Sequence, residues 1–378
     1  MIITVIIFIL TLLFLVVIHE LGHFLLAKKF GIKVEEFGFG IPPRAWGKKI
    51  GETLVSLNWL PFGGFVKLLG EDETDRQVLE SKRSFASQTV GKRITVVVAG
   101  VVMNLILAWI LLYATLFARG FKTELPLLLE HNFWGVNQQN EVVVIVRGIN
   151  KNSPADIAGI KDGERVIAIN NEFIKSAQDL IDKTKSLSAE KTELTLSDAD
   201  KTKFRMVVVT PRVNPPEGEG PLGISLAQFQ LANLAYQTLP QKILSGPIHA
   251  TNIVVYSGKI FGRLIGQAFQ AKSVEPLSHS VSGPVGITSL VNDILTQSQN
   301  PLISYLDFMA LLSLNLAVLN ILPFPALDGG RLFFLLIEAI TRKRVHQDVE
   351  RWVHTVGMAI LLTLMMLVTF SDIRKLFP

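Results

Sequence analysis

No cysteine occurs in the 378-residue sequence. This absence excludes a disulfide framework and a thiolate metal site, so a bound metal ion would need His, Asp or Glu ligands. It also leaves the redox state of the compartment undetermined.

Charged residues are scarce as well, at 18% of the chain against 49% hydrophobic residues, and the mean hydropathy is +0.40. This balance is typical of a membrane protein rather than a soluble one. The net charge of +5 suits attraction to anionic lipid head groups. Such a modest excess does not indicate nucleic-acid binding, and we expect none.

Four long apolar stretches cover about residues 2–27, 94–118, 305–321 and 353–370. The first is long enough to cross a hydrocarbon core of roughly 30 Å. It lacks a basic leading region and a small-residue cleavage pattern, so we expect an uncleaved helix rather than a signal peptide. The predicted fold class is a polytopic α-helical membrane protein with about four transmembrane helices.

Basic residues cluster beside these stretches: Lys28, Lys29 and Lys33 after the first, Lys92 and Arg93 before the second, and Arg342, Lys343 and Arg344 before the fourth. The positive-inside rule makes these flanks cytoplasmic. Both termini and the segment from 119 to 300 are then expected outside, in a multi-pass protein of the cytoplasmic (inner) membrane.

A soluble α+β module is predicted in the outer segment. "EVVVIVRGI" and "KFRMVVVTP" have strand character, and "SPADIAGIKDGERVIAINNEFI" between them has the turn residues of a compact sheet domain. The stretch from about 136 to 213 resembles a PDZ domain, with Asn171 where glycine is common. That resemblance implies binding of an extended peptide by strand addition; a folded spacer without a ligand is the alternative.

The stretch "VVIHELGHFLLAKKF" places His19, Glu20 and His23 in the first apolar run. Histidines four apart on a helix project from one face and can bind one metal ion. The neighbouring carboxylate can act as general base on a metal-bound water, whose pKa zinc lowers to about 7. Isolated His and Glu side chains are costly in a membrane helix, so a functional site is favoured over polar contacts between helices.

Two histidines leave a zinc site short of a protein ligand, which must be His, Asp or Glu. "NLAVLNILPFPALDGGR", residues 315–331, follows the third apolar run, and its prolines interrupt the helix before Asp328. Irregular backbone at membrane depth must line a cavity or be buried in protein. Asp328 is therefore the candidate third ligand; a helix-capping Asp before a Gly-Gly turn is the alternative.

Together these motifs resemble the site-2 protease family of intramembrane zinc metalloproteases. "FGFGIPP" and "LPFGGFVKLLGEDE" in the first cytoplasmic loop, and "SGPVGI" at 282–287, are similar to its bacterial regulator of sigma E protease branch. The chain departs from that branch in one respect. Well-studied members carry two tandem PDZ domains, whereas the space from 119 to about 227 accommodates one.

The resemblance implies one Zn²⁺ ion held by His19, His23 and Asp328, with Glu20 as catalytic base and acid. Asn320 matches an asparagine that holds the substrate or stabilises the oxyanion. Residues near Gly63 and Gly64 match a membrane-associated reentrant β-hairpin on the cytoplasmic side that offers its edge to the substrate.

The remaining histidines considered, His249, His279, His346 and His354, have no paired spacing and are interpreted as surface or interfacial groups. The implied domain organisation is transmembrane helix 1 at 1–27, a loop with the hairpin at 28–93, helix 2 at 94–118, an outer region at 119–227, an interfacial helical segment at 228–300, helix 3 with the Leu-Asp-Gly motif at 301–341, and helix 4 with the C-terminus at 342–378.

The leading hypothesis is an endopeptidase that cuts single-pass membrane proteins, already shortened by another protease, in or near the bilayer. A membrane-tethered PDZ scaffold with a structural metal site is a second hypothesis. A conventional zincin with its catalytic domain outside the bilayer is a third; the position of the motif inside the apolar run argues against it.

Overall fold

The computed structural model describes residues 2–71, 76–198, 203–273 and 283–376, so His279 and residues 274–282 lie outside the described residues. The chain forms two compact units. The membrane unit comprises Met1–Gly120 and Ile243–Pro378, and the inserted unit comprises Phe121–Lys242.

The helices, in chain order, are α1 (Ile2–Lys29), α2 (Arg76–Glu80), α3 (Val90–Ala118), α4 (Pro154–Ile157), α5 (Ala177–Ser186), α6 (Leu239–Ile243), α7 (Ser245–Ala271), α8 (Pro284–Gln297), α9 (Pro301–Ile321), α10 (Asp328–Thr341) and α11 (Gln347–Leu376). The strands are β1 (Val34–Ile50), β2 (Thr53–Leu68), β3 (Lys122–Leu127), β4 (Asn137–Ile149), β5 (Arg165–Ile169), β6 (Glu172–Phe173), β7 (Thr192–Ser197), β8 (Phe204–Val209) and β9 (Ile224–Ala235).

Four helices among the described residues are long and apolar enough to cross a membrane: α1, α3, α9 and residues Asp348–Arg374 of α11. The prediction of four apolar helices is confirmed. Which side of the membrane each end faces stays a prediction.

Helices α1 and α3 cross closely at the level of the histidines. A Cβ atom added to Gly22 would lie 2.3 Å from the carbonyl oxygen of Ala99, so only glycine allows the backbones to come this near. Helix α1 ends before Gly31, whose φ of 75° suits glycine. The close crossing sets α3 directly against the face of α1 that carries His19 and His23.

Strands β1 and β2 are long runs that bend and pair in more than one place. Phe37 pairs both with Val55 and with Val66, so the first part of β1 is covered on two sides by different parts of β2. The final part of β2, Gly64–Leu68, pairs with β1 on one side, and no other described strand covers its second side. The backbone at Gly64–Val66 is therefore a free sheet edge within the membrane unit.

The inserted unit is built on a seven-stranded sheet in the order β3-β9-β4-β5-β7-β8, with β6 paired to β5. Its core lies on one face of the sheet and includes Val146, Leu194 and Leu196, which are fully buried. Helix α5 begins at an N-cap where the Ser176 side chain accepts a hydrogen bond from the Asp179 amide.

The prediction of an interfacial helical segment that begins at residue 228 is wrong for residues 228–235. Residues 228–235 lie in β9, which pairs with β4 along one edge and, at 230–235, with β3 along the other. Two flanking ladders decide the conformation of a segment whose apolar spacing also fits a helix. Strands β3 and β9 both fall outside the 136–213 range assigned to the PDZ resemblance, and whether this sheet is a PDZ domain stays a prediction.

Candidate metal centre

The structure brings His19, His23 and Asp328 together although Asp328 is more than 300 positions away in the sequence. His19 and His23 lie one turn apart on α1, and Asp328 is the first residue of α10. Asp328 Oδ2 lies 2.9 Å from His19 Nε2 and 3.2 Å from His23 Nε2, and the two Nε2 atoms are 3.2 Å apart. These atoms form the one three-residue group of His, Asp and Glu among the described residues with the spacing of a metal site.

The donor set fits zinc. Tetrahedral Zn²⁺ with ligands at about 2.0–2.2 Å requires ligand atoms roughly 3.3–3.5 Å apart, a few tenths of an ångström beyond the distances found here. Three protein ligands leave a fourth position open, which is the pattern of a catalytic rather than a structural site.

Backbone on α3 orients His23. Its Nδ1 lies 2.8 Å from the carbonyl oxygen of Val96, which can only accept, so Nδ1 donates the proton and Nε2 keeps its lone pair. An imidazole that donates through one nitrogen is fixed to bind a metal through the other.

Asn104 on α3 lies beside Nδ1 of His19, as the Val96 carbonyl lies beside Nδ1 of His23. It is fully buried, its amide reaches to 3.5 Å from His19 Nδ1, and its Oδ1 has no hydrogen-bond partner in the described structure. Turning the amide by 180° would let Oδ1 accept a proton from Nδ1, which would satisfy both groups and leave Nε2 available. A polar residue inside an apolar run predicts a contact with a neighbouring helix; here that contact is His19 of the candidate metal centre.

Gly100 on α3 leaves room for both imidazoles. A Cβ atom at this position would lie 2.5 Å from His23 Nε2 and 2.7 Å from His19 Cε1. Any side chain here would displace the histidines.

Glu20 lies next to the three-residue group and lines a cavity of about 290 Å³ together with His23 and Asp328. Its side chain is half-buried. The same cavity is lined by Phe65 and Val66 of the free β2 edge and by the two residues that follow them. A Cβ atom at Gly64 would lie 3.6 Å from Glu20 Cγ, so the strand at Gly64 passes close to the Glu20 side chain.

Two further predicted site residues, Asn320 and Gly63, lie outside the three-residue group and are not among the residues that line the smaller cavity. Asn320 is half-buried at the penultimate position of α9, outside the three-residue group. Gly63 has φ of 85° and lies at the bend of β2 before the free edge. Their roles stay predictions.

A larger cavity of about 730 Å³ adjoins the first and shares Glu71, Asp328 and Arg331 with it. Glu71, just after β2, forms an ion pair with Arg331 of α10. This contact connects the loop after the β1–β2 sheet to the helix that begins at Asp328.

His354 of α11 lines the larger cavity and is a residue that sequence reasoning misses. Its Nδ1 accepts a hydrogen bond of 2.9 Å from the amide of Ala326, two residues before Asp328. The sequence contains no signal for this contact, because His354 has no partner at metal-ligand spacing and the two helices are joined only in the tertiary structure.

Comparison with known proteins gives consistent matches along the whole chain. The family model described as Peptidase family M50 matches residues 7–364. A Clostridium perfringens protein, provisionally named a zinc metalloprotease, is 36% identical over 366 residues, which cover 96% of each chain. The regulator of sigma-W protease RasP of Bacillus subtilis is 27% identical over 452 residues and 99% of each chain, and the zinc metalloprotease RasP of Geobacillus kaustophilus is 27% identical over 445 residues and 96% of each.

Proposed function

Because this chain belongs to peptidase family M50 and is a zinc metalloprotease, we propose that it cleaves single-pass membrane proteins within or near the transmembrane segment. Anti-sigma factors and signal-peptide remnants are the expected kinds of substrate. The observation that carries the proposal is the convergence of His19, His23 and Asp328 beside Glu20, where three of the four residues lie on α1, a helix of membrane-spanning length.

In this proposal His19, His23 and Asp328 hold the ion. When bound, zinc acts as a Lewis acid that polarises the scissile carbonyl and lowers the pKa of a coordinated water toward about 7. Glu20 accepts the proton of the attacking water and then delivers it to the leaving amine. Asn320 supplies an amide donor for the developing oxyanion.

The free edge at Gly64–Val66 supports a route for substrate entry. A transmembrane helix has no accessible peptide bond until it unwinds, and an unwound segment then has unpaired backbone groups in a medium without water. Pairing with an open strand edge satisfies those groups by strand addition. Because this edge passes Glu20 and lines its cavity, a peptide added there would present its backbone to the candidate metal centre.

For the inserted unit we propose PDZ-like peptide binding at the part of β9 that β3 leaves uncovered. Residues 224–229 pair with β4 on one side, and no described strand covers their other side. Helix α5 lies near this edge, with the Ala177 amide donating a 2.7 Å hydrogen bond to Gln228 Oε1. A bound segment could be the end left on a substrate by an earlier cut; size exclusion of unshortened substrates is the alternative.

The basic flanks support the proposed location in the cytoplasmic (inner) membrane. Lys28 and Lys29 lie in the last turn of α1, and Arg342 follows α10. With these flanks inside, both termini and the inserted unit face outward, and the metal centre lies toward the cytoplasmic side.

The decisive experiment compares wild type with Glu20→Gln on a model single-pass substrate in reconstituted membranes. We expect cleavage to fall roughly 100- to 10,000-fold, because the proton acceptor is lost, while one zinc per chain is retained. Asp328→Ala is the complementary variant and is expected to lose zinc. Cleavage by Glu20→Gln at the wild-type rate would falsify the proposed mechanism, and full zinc in Asp328→Ala would exclude the ligand assignment.

A scaffold with a structural metal site, the second hypothesis from the sequence, disagrees with the membership of this chain in a family of zinc metalloproteases. It requires that no substrate be cleaved by the wild type and that peptide binding survive in His19→Ala. The open fourth position and the adjacent Glu20 favour the enzyme, since a structural site needs neither.

A further inference from the structure

The segment that carries Asp328 into the metal centre is an irregular loop, residues 322–327, between α9 and α10. Pro323 and Pro325 have no amide hydrogen to donate. The amides of Leu322, Phe324 and Leu327 donate to carbonyls within the same segment or the end of α9. The amide of Ala326 instead donates to a side chain of another helix, His354 of α11.

Ala326 also has an unusual backbone conformation. Its φ is 75°, in the left-handed region that favours glycine. A non-glycine residue keeps such a conformation only when its surroundings hold it there. The hydrogen bond from Ala326 to His354 Nδ1 is the described polar contact that does so.

Helix α11 packs against the same loop along one helical turn, from His354 to Gly357. A Cβ atom at Gly357 would lie 2.3 Å from Pro325 Cβ, so only glycine permits this approach. On the other side, a Cβ atom at Gly330 would lie 3.2 Å from His354 Cε1, and the Phe334 ring centroid is 6.0 Å from that of His354. The imidazole is therefore enclosed between the loop and the first turns of α10.

The chemistry of this contact is specific. Because an amide can only donate, His354 must accept through an unprotonated Nδ1 and carry its proton on Nε2. Ala326 is two residues from Asp328, so a shift of its backbone moves the carboxylate relative to His19 and His23. At a metal site, loss of a group that hydrogen-bonds a ligand costs roughly 10–100-fold in affinity, and we take this range for a contact two residues from the ligand.

We propose that His354 is a positioning residue: by accepting the Ala326 amide, it fixes the loop that holds Asp328 at the metal centre, and so controls zinc retention. The role needs an acceptor at the place of Nδ1, not an imidazole as such. Because it concerns how this chain holds zinc, the proposal does not depend on which substrate is cleaved.

The test measures zinc release from the purified full-length protein to a chelator, without substrate. His354→Leu keeps the volume but has no acceptor, and we expect zinc release to be roughly 10–100-fold faster than in the wild type. His354→Asn places Oδ1 where Nδ1 was, and release should stay within about threefold of the wild type. Thr363→Ala on the same helix is the control, since its hydroxyl donates to Ala359 within α11, and it should match the wild type.

The rescue by asparagine separates positioning from packing. Equal release rates for His354→Leu and His354→Asn, or a wild-type rate for His354→Leu, would overturn the proposal. If His354→Leu does not purify as a folded protein, Gly357→Ala replaces it. This variant pushes α11 away from Pro325 without removing the acceptor, and it must also accelerate zinc release. An unchanged release rate would show that the loop does not control zinc retention. Neither result bears on proteolysis, which the Glu20→Gln experiment tests separately.

Discussion

Gly100 shows how much the metal centre depends on a single missing side chain. Gly100→Ala places a Cβ atom at 2.5 Å from His23 Nε2, and the rigid backbone of α3 cannot yield without disturbing its packing on α1. We expect zinc content below half an ion per chain, measured by elemental analysis, and a matching loss of proteolysis. Gly91→Ala on the same helix meets no atom within 4 Å and should retain full zinc; normal zinc in both variants would contradict the geometry described here.

The pair formed by Glu164 and Arg205 predicts a pH dependence in the inserted unit. Partial burial acts to raise the pKa of Glu164, but hydrogen bonds from Arg205, at 2.7 Å, and from the Lys161 amide outweigh it and hold the pKa below its usual value. A lowered folded-state pKa stabilises the fold above about pH 4.5, and this contribution is lost as the pH falls through the lowered pKa.

The unfolding temperature of the segment 121–242, measured by calorimetry, should therefore fall less steeply in Glu164→Gln than in the wild type between about pH 5 and pH 3. Arg205→Gln, which removes the charged partner of Glu164, should flatten the fall in the same way. An equally steep fall in Glu164→Gln and wild type would show that the pair does not contribute.

Individual residues also show where prediction from sequence ends. The spacing of His19 and His23 on a helix required no tertiary information, because four residues make about one turn. His354 and Asn104 had no such periodic signal. Their roles depend on which helices pack together, and pattern within one segment does not contain that information.

At the scale of elements, the free edge of β2 predicts a pair of opposite proline effects. Along a strand, successive amides point to opposite sides, so of Phe65 and Val66 one donates toward β1 and the other toward the open side. Proline at the inward position removes a ladder hydrogen bond and should lower stability. Proline at the outward position should leave zinc content and stability near wild type but reduce substrate cleavage at least tenfold.

Two variants, Phe65→Pro and Val66→Pro, test these expectations. For each we would measure zinc content, thermal unfolding and cleavage of a model substrate. Full cleavage by both folded variants would exclude strand addition at this edge. The comparison is informative whichever of the two amides points outward, because each variant serves as the control for the other.

Elements differ in how far sequence predicts them. The four apolar helices followed from hydropathy alone, since a span of about 20 apolar residues has few alternatives. Residues 228–235 have apolar spacing that predicts a helical segment, yet they form part of β9. Their apolar residues fit both the helical period and the strand period. Pairing with β3 and β4, at 122–127 and 137–149, decides in favour of a strand.

At the scale of the whole molecule, the inserted unit enters and leaves the chain at one place. Lys122 pairs with Ala235, and the Tyr236 amide donates a 3.0 Å hydrogen bond to the Phe121 carbonyl. Residues 122–235 can therefore be replaced by a short Gly-Ser linker without stretching the chain.

We expect this deletion variant to insert into membranes and to bind one zinc per chain, because all residues around the metal centre belong to the membrane unit. If the inserted unit restricts access, the variant should also cut a substrate that still has its outer domain, which the wild type should leave intact. Zinc analysis and gel-based cleavage of the long and shortened substrates test both points; loss of zinc in a folded variant would contradict the independence of the two units.

The sequence by itself determined the membrane class, the four apolar helices and the residue types at the metal centre. These depend on local quantities, namely hydropathy along a segment, helical periodicity and the absence of cysteine. Only the tertiary structure decided that Asp328 meets the two histidines at 2.9 and 3.2 Å, that glycines at 22 and 100 allow α3 to approach them, and that His354 holds the loop before Asp328. The physical reason is that a metal site combines atoms distant in the chain, and their spacing is set by helix packing, which no single segment encodes.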